Sequence, residues 1–482
     1  MLAIVEPAHT MTASNQEVTP DLSGKSCVVI GMGKSGVAAA RLLKAIDAVV
    51  TVVDEHETEP IRETEAALAK ESIRCLTGKM WRTALEQAEW IVLSPGVPVN
   101  LPELVLAREQ GIPIVGEMEL ASWFLNIPII SITGTNGKST TVRLIGEFLQ
   151  ASGKHVFVGG NLGIPLCEAV LAQRASSHGA GSSEQLYEYA VVEASSFQLE
   201  TIQRFRPWIA AILNVTPDHL DRHATFEEYF EAKWKIFENQ TREDFAIINA
   251  DDSLLAVRAG MMAGTVMAFS LRGTLPAGVW LEGSTVMARV HGQAHEVVRR
   301  EDIALRGVHN LANVLAATVV GLLCGCPLED LRRVMKSFQG TEHVLEYVRT
   351  YQGVKYYNDS KGTNVDATQK ALASFDEPVI LIIGGKDKGG DFGLLGDRIR
   401  QHVKAVVAIG EATKRITRSL AGIKSVEAMG SLQEAVRYAQ RMASAGDVVL
   451  FSPSCSSFDM FRNYDHRGKE FKRLVHELPD IG

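Results

Sequence analysis

Apolar residues along the chain gather into short β-rich runs, each ending at a glycine or polar turn and followed by a stretch with helical periodicity. This unit occurs in three successive segments. The first opens with Ser26–Ile30, turns through Gly31-Met32-Gly33-Lys34-Ser35-Gly36 and continues as an Ala- and Leu-rich helix. Its further strands are Val49–Val53, ending at Asp54, and Trp90–Leu93, ending at Ser94-Pro95-Gly96. The second starts with a strand at Ile127–Ile132 that runs into Thr133-Gly134-Thr135-Asn136-Gly137-Lys138-Ser139-Thr140. Strands are expected at Tyr189–Val192, Ile209–Val215 and Phe245–Asn249, helices at Phe226–Asn239 and Asn310–Leu323, and a surface loop at Ser176–Glu184. The third carries strands at Val354–Tyr357, Val379–Ile383, Ala405–Ile409 and Val448–Phe451, with helices at Ala367–Ala373 and Leu432–Ser444.

Strands alternating with helices predict an α/β protein. We expect three domains: a Rossmann-like domain over 23–116, a central P-loop ATPase domain with a mainly parallel sheet over 117–339, and a Rossmann-like C-terminal domain over 340–482. Residues 1–22 lack periodicity and read as an extension without fixed structure. They also lack the basic start and apolar core of a signal peptide.

Composition narrows the function classes. At 46% hydrophobic and 22% charged residues the chain is ordinary for a globular protein. No run approaches the roughly 20 apolar residues of a membrane helix, so membrane insertion is not expected. A formal charge of −8 argues against a nucleic-acid partner. Any anionic substrate must then be held by local amides, lysines or metal. Six scattered cysteines form no C-x2-C pair and suit reduced thiols in the cytoplasm.

The loop Gly134–Thr140, set between a strand and a helix, is the strongest chemical signal. Successive amides aimed by glycines can wrap phosphate oxygens, Lys138 adds positive charge, and the Ser139 or Thr140 hydroxyl can ligate Mg²⁺. The pattern departs from the general P-loop because Ile132 stands where the first glycine is usual. Glu193 and His219 follow neighbouring strands, at the carboxyl ends where α/β proteins place ligands. Glu193 could reach a metal held by Ser139. His219 could hold a second, although its nitrogen suits Mg²⁺ less well than oxygen. The Gly31–Gly36 loop, with Asp54 about twenty residues later, is a dinucleotide fingerprint. Taken alone it suggests a nicotinamide-dependent oxidoreductase, but the same amides can hold another diphosphate.

Thr133–Thr140, Gly160-Asn161-Leu162-Gly163, Glu193–Glu200, Asn214–Arg222 and Gly307-Val308-His309-Asn310 together resemble the Mur ligase family. Asn358-Asp359-Ser360-Lys361-Gly362-Thr363-Asn364 and Ser452–Tyr464 resemble its D-glutamate-adding members. The resemblance implies ATP-driven joining of D-glutamate to UDP-N-acetylmuramoyl-L-alanine through an acyl phosphate, with two Mg²⁺ ions, by a cytoplasmic monomer. It implies ATP contacts from Gly134, Thr135, Asn136, Gly137, Lys138, Ser139, Thr140, Asn310, Asp359 and Lys361. Gly33, Ser35, Gly36, Asp54, Gly96 and Asn161 would hold the UDP-sugar. Thr363, Lys388, Ser457 and Phe458 would hold D-glutamate, with Lys386 a rival to Lys388. Metal would rest on Ser139, Glu193, His219 and Lys233. Lys233 falls where these ligases carry a CO₂-derived carbamate; from the residues alone it reads as a solvated helix lysine.

One position departs from the family. Val344 follows His343 where relatives carry an arginine that helps bind ATP, with Arg349 a nearby cation that could compensate. Three alternatives stay open: a relative with another acceptor amino acid or a folate substrate, the oxidoreductase, and a nucleotide-binding protein with a degraded site.

Overall fold

The computed structural model describes residues 19–161, 163–177, 185–219, 222–290 and 292–478. The expected extension therefore lies outside the described residues up to residue 18, as does most of the expected loop after Ser176.

Three sheets are built in chain order. The first contains β1 (Ser26–Ile30), β2 (Val49–Asp54), β3 (Arg74–Thr77), β4 (Trp90–Leu93) and β5 (Ile114–Gly116). All are parallel, in the order β3-β2-β1-β4-β5. Val28, Val29 and Ile30 of β1 are all buried, as expected of a strand covered on both faces.

The central sheet contains β6 (Ile129–Thr133), β7 (Val156–Gly160), β8 (Tyr189–Glu193), β9 (Ile209–Ile212), β10 (Phe245–Asn249), β11 (Thr265–Ser270), β12 (Gly278–Glu282), β13 (Thr285–Arg289) and β14 (His295–Arg299). Its order is β14-β13-β12-β11-β10-β9-β6-β8-β7. From β7 to β12 neighbouring strands are parallel; β12–β13–β14 form an antiparallel edge that the sequence reading lacked. β6 thus lies between β9 and β8. The loops leaving β6, β8 and β9 emerge side by side, which defines the mouth of the site.

The third sheet contains β15 (Glu346–Tyr351), β16 (Val354–Asn358), β17 (Val379–Gly384), β18 (Val403–Ile409), β19 (Val426–Ala428) and β20 (Val448–Phe451), in the order β15-β16-β20-β17-β18-β19. Only β15, unforeseen from the sequence, is antiparallel to its neighbour.

Several element ends move. The helix expected over Phe226–Asn239 is α-helical over Phe226–Trp234 and tightens to a 3₁₀ turn at Lys235–Phe237. The strand expected to reach Val215 stops at Ile212, freeing Asn214–His219 to curl around the phosphate loop.

Two buried glutamates anchor the start of the second domain, just after β5, to its body. The helix Glu117–Ser122 leaves β5 directly. Glu117 accepts the Cys167 N–H at 2.7 Å. Glu119 accepts the N–H groups of Gln203, Arg204 and Phe205 and the Trp123 indole. Burial takes the Glu117 carboxyl up to about 7.

Candidate active site

Gly134 (φ 152°) and Gly137 (φ 89°) adopt backbone angles that L side chains rarely take. A Cβ at Gly137 would also come within 2.1 Å of Asn313 Oδ1. Asn214 braces the loop from β9. Its Oδ1 accepts the Asn136 N–H at 2.9 Å, its Nδ2 donates to the Asn136 carbonyl at 3.0 Å, and its own carbonyl accepts the Thr135 N–H. The following helix, Lys138–Ala151, begins at Gly137 without a side-chain cap. Its first amides therefore favour an anion. Lys138 curls back so that Nζ donates to the Gly134 and Thr135 carbonyls, each at 2.8 Å.

Ser139 and Glu193 meet at the bottom of this mouth. Ser139 Oγ donates to Glu193 Oε2 at 2.6 Å, and Asn161 Nδ2 donates to Oε1 at 2.8 Å. Asn161, expected at the sugar, is thus found beside the phosphate loop. From the C-terminal domain, Lys361 Nζ hydrogen-bonds Ser139 Oγ. Burial alone would raise the Glu193 carboxyl, but Lys361 and Lys138 hold it below its usual range. Burial conversely lowers both lysines. A polyanion placed beside these lysines would oppose the effect of burial and favour their charged forms.

Lys233, from the helix Phe226–Trp234, is only 2% exposed. Its Nζ donates to the Gly134 carbonyl at 3.0 Å and lies 4.6 Å from the Tyr229 ring centre. Burial, with Lys138 nearby, pushes its pKa well below the usual value. It is not the solvated lysine that the sequence alone suggested. His219 is neutral at pH 7, because burial takes it down to about 4. Its neighbour Asp218 accepts from Asn364 Nδ2 at 2.9 Å and lies 3.9 Å from Lys388 Nζ.

In the C-terminal domain Lys388 Nζ comes to 3.5 Å from Thr363 Oγ1, while Lys386 is exposed. Lys386 and Ser456 pair through their backbones, setting the Gly384–Lys388 turn beside the Cys455–Phe458 loop. Ser457 is buried; Phe458 is 69% exposed and stands apart from the Thr363–Lys388 pair in that respect. Asp359, expected at ATP, is buried within the C-terminal domain here. Its carboxyl turns into its own domain, accepting the Ser452 hydroxyl at 2.7 Å and the Leu345 N–H at 3.1 Å, and burial takes it up to about 7. Arg349 lies 4.6 Å from the Tyr351 ring centre on β15. Asn310 Nδ2 donates to the Arg306 carbonyl, while Oδ1 accepts from Asn313.

In the first domain, a Cβ at Gly36 would lie 1.8 Å from the Gly31 carbonyl oxygen, so only glycine permits this helix to start so close to β1. The helix Lys34–Ala45 also begins uncapped, leaving amides near Gly33, Ser35 and Gly36 for an anion. Asp54, expected as a ligand contact, uses one oxygen for the Met32 N–H (2.9 Å) and the other for the His56 N–H (3.0 Å). It shapes the turn. Arg222, from the central domain, donates to the Val97 carbonyl at 2.9 Å and approaches that of Gly96 at 3.5 Å while pairing with Glu200. The Ser94–Gly96 turn is thereby clasped to the second domain.

Three family models match in chain order: the Mur ligase MurD-like N-terminal domain over residues 25–116, the Mur ligase middle domain over 132–321 and the Mur ligase glutamate ligase domain over 345–455. The chain belongs to the Mur ligase family. Among relatives it is 45% identical over 460 residues to the UDP-N-acetylmuramoylalanine--D-glutamate ligase of Koribacter versatilis, covering 95% of this chain and 99% of that protein. It is 43% identical to the enzyme of the same name from Geotalea uraniireducens, again covering 95% and 99%. The fold is shared with the Thermotoga maritima UDP-N-acetylmuramate-alanine ligase MurC (TM-score 0.58, 19% identity, 94% and 99% covered). It is also shared with MurF ligase from that organism (0.56, 16%, 95% and 97%).

Within this Mur ligase, sequence reading missed residues that act through others. Asn313 closes on the Gly137 turn, Asn214 braces the phosphate loop, and Asp366 accepts from Asn136 Nδ2 at 2.5 Å. Arg467, 1% exposed, donates to the carbonyls of Ser360, Cys455 and Ser456 and ties the Lys361 turn to the Ser457 loop. An arginine in a C-terminal amphipathic helix carries no such signal in sequence.

Proposed function

We propose that this enzyme joins D-glutamate to UDP-N-acetylmuramoyl-L-alanine at the expense of ATP, releasing ADP and phosphate, as a cytoplasmic monomer in peptidoglycan precursor synthesis. The observation that carries the reading is the convergence of Lys138, Ser139 and Glu193 of one domain with Lys361 of another, near the Thr363–Lys388 pair. The identity of the relatives supports the choice of substrates. One substrate is assigned to each domain: UDP-sugar to 23–116, ATP to 117–339 and D-glutamate to 340–482.

A carboxylate does not condense with an amine in water, because its oxygen is a poor leaving group. An alanyl carboxylate oxygen therefore attacks the γ-phosphorus of ATP; the bond to the bridging oxygen breaks and ADP leaves. The free amine of D-glutamate then adds to the carbonyl carbon, and the C–O bond breaks to release phosphate. Both first reactants are anions. Lys138, Lys361 and the uncapped amides of Lys138–Ala151 offset their repulsion. The Asn214 brace fixes the loop before reaction. Lys388 and Thr363 suit a carboxylate of the incoming amino acid.

Mur ligases use ATP with Mg²⁺. Ser139 Oγ, in the first turn of the helix after the phosphate loop, and Glu193 Oε2, at the end of β8, offer hard oxygen ligands, and His219 offers a neutral nitrogen. With Lys233, these groups would hold two ions, whose charge would ease phosphoryl transfer between anions. Lys233 fits this role as a carbamate. Its burial favours the uncharged amine, whose nitrogen adds to CO₂ with loss of a proton to give an anion.

The test is phosphate release with ATP, Mg²⁺ and UDP-N-acetylmuramoyl-L-alanine across a panel of amino acids. Release with D-glutamate, and not with L-glutamate or with neutral and basic amino acids, is expected. Equal release with L-glutamate, or with a different acceptor alone, overturns the assignment.

A further inference from the structure

The loop that receives phosphate is not shaped by the central domain alone. Asn136 is held on its backbone by Asn214 and on its side chain by Asp366, across the domain boundary. Asp366 lies in the first turn of the helix Val365–Leu372, capped by Asn364, whose side chain accepts the Ala367 N–H. Asp366 Oδ2 receives three donors: Asn136 Nδ2 at 2.5 Å, Thr216 Oγ1 at 3.2 Å and Lys370 Nζ at 2.7 Å. Thr216 follows β9, and its N–H is bonded to Thr135 Oγ1, so both central-domain donors belong to the phosphate-loop assembly. Two residues earlier, Asn364 donates to Asp218 beside His219. A single turn of the C-terminal domain thus engages the loops after β6 and after β9.

We infer that Asp366 is a positioning residue, a latch by which docking of the C-terminal domain sets the phosphate loop for nucleotide. The inference rests on the reading of Gly134–Thr140 as the nucleotide site. Asp366 touches no reacting atom in this account. With the latch closed, the Asn136 side chain is drawn toward the C-terminal domain and its peptide is pinned from below. The loop's conformational freedom is reduced before the phosphates arrive. Loop order and domain docking then share one free energy, so nucleotide binding favours docking and docking favours nucleotide binding to the same degree. Lys370, one turn on, holds the carboxylate in place from within its own helix.

The experiment is calorimetric titration of full-length protein with the Mg²⁺ complex of a non-hydrolysable ATP analogue. Wild type is compared with Asp366→Ala, Asp366→Asn, Asn136→Ala and the Asn136→Ala/Asp366→Ala double variant. Loss of a hydrogen bond to a charged group predicts about tenfold weaker binding for Asp366→Ala. Asp366→Asn keeps an acceptor oxygen for Asn136 and Thr216 and is expected to recover most of that loss, although its charge pair with Lys370 is gone. In the Asn136→Ala background the Asp366→Ala change is expected to fall to about twofold or less, because the partner is already missing. A role confined to helix stability would leave the same penalty in both backgrounds and is thereby distinguished. Wild-type affinity in Asp366→Ala, or an undiminished penalty in the Asn136→Ala background, overturns the latch alone. Failure of the wild-type protein to bind the analogue overturns the nucleotide reading and the latch with it.

Discussion

A lysine ammonium taken out of water loses much of the hydration that stabilises its charge, so burial favours the neutral amine. Lys233 is in this position, with Lys138 adding to the effect. ¹³C NMR of protein equilibrated with labelled bicarbonate is expected to show one carbamate signal that disappears in Lys233→Arg. A spectrum without that signal, or one that survives the substitution, removes the carbamate. From the residues alone this lysine was invisible, because a single cation in an amphipathic helix ordinarily faces solvent. Lys138, Ser139, Glu193 and His219 were legible because their backbone context is special: a glycine turn or the carboxyl end of a strand. Asp54 was expected at the UDP-sugar and Asp359 at ATP; in this structure both carboxylates accept backbone and hydroxyl donors within their own domains. Spacing cannot show which way a loop carboxylate turns.

At the scale of elements, the turn that carries Val344 and leads into β15 is held by a charged network. Glu342, His343 and Glu346 cluster there, but their charge is met within the protein. Lys472 donates to Glu342 at 2.8 Å and to Glu346 at 2.7 Å; Asn358 Nδ2 lies 2.8 Å from His343 Nδ1 and 3.1 Å from Glu346 Oε2. The network fixes the turn whose His343 carbonyl accepts the Lys361 N–H, and so bears on how Lys361 is presented to Ser139. Burial works against the Glu346 charge, yet hydrogen bonds from His343 and Lys472 bring its pKa down to about 2. A depressed carboxylate stabilises the fold above its unfolded pKa, and that contribution fades as pH falls from about 4.5 toward 2. Glu346→Gln is therefore expected to cost about 1–2 kcal/mol at pH 7, with the gap to wild type narrowing below pH 4.5. Urea unfolding at a series of pH values measures this, and a gap independent of pH contradicts it. β15 itself escaped the sequence reading because its side chains are mostly half exposed. β12–β14 escaped for a related reason: five-residue strands at a sheet edge give a weak alternation. The two-residue Gly283-Ser284 turn between β12 and β13, with Gly283 at φ 59°, was the available signal.

Across the whole molecule, the C-terminal domain meets the phosphate loop and its neighbours through polar side chains: Lys361 to Ser139, Asn364 to Asp218, and Asp366 to Asn136 and Thr216. Polar interfaces between domains favour relative motion and close more firmly when ligand bridges them. Small-angle scattering is expected to show a smaller radius of gyration when an ATP analogue and the UDP-sugar are both bound; an unchanged radius contradicts closure. Three α/β units could be read from the alternation of strand and helix along the chain. How the units face one another could not, because single side chains far apart in sequence make those contacts. The central claim is that a carboxyl oxygen is made into a leaving group by taking a phosphoryl group from ATP. Its most direct test uses UDP-N-acetylmuramoyl-L-alanine labelled with ¹⁸O in the alanyl carboxylate, D-glutamate and unlabelled ATP. The account predicts one ¹⁸O atom in each phosphate released from fully labelled substrate, whereas amide formation with unlabelled phosphate would contradict it.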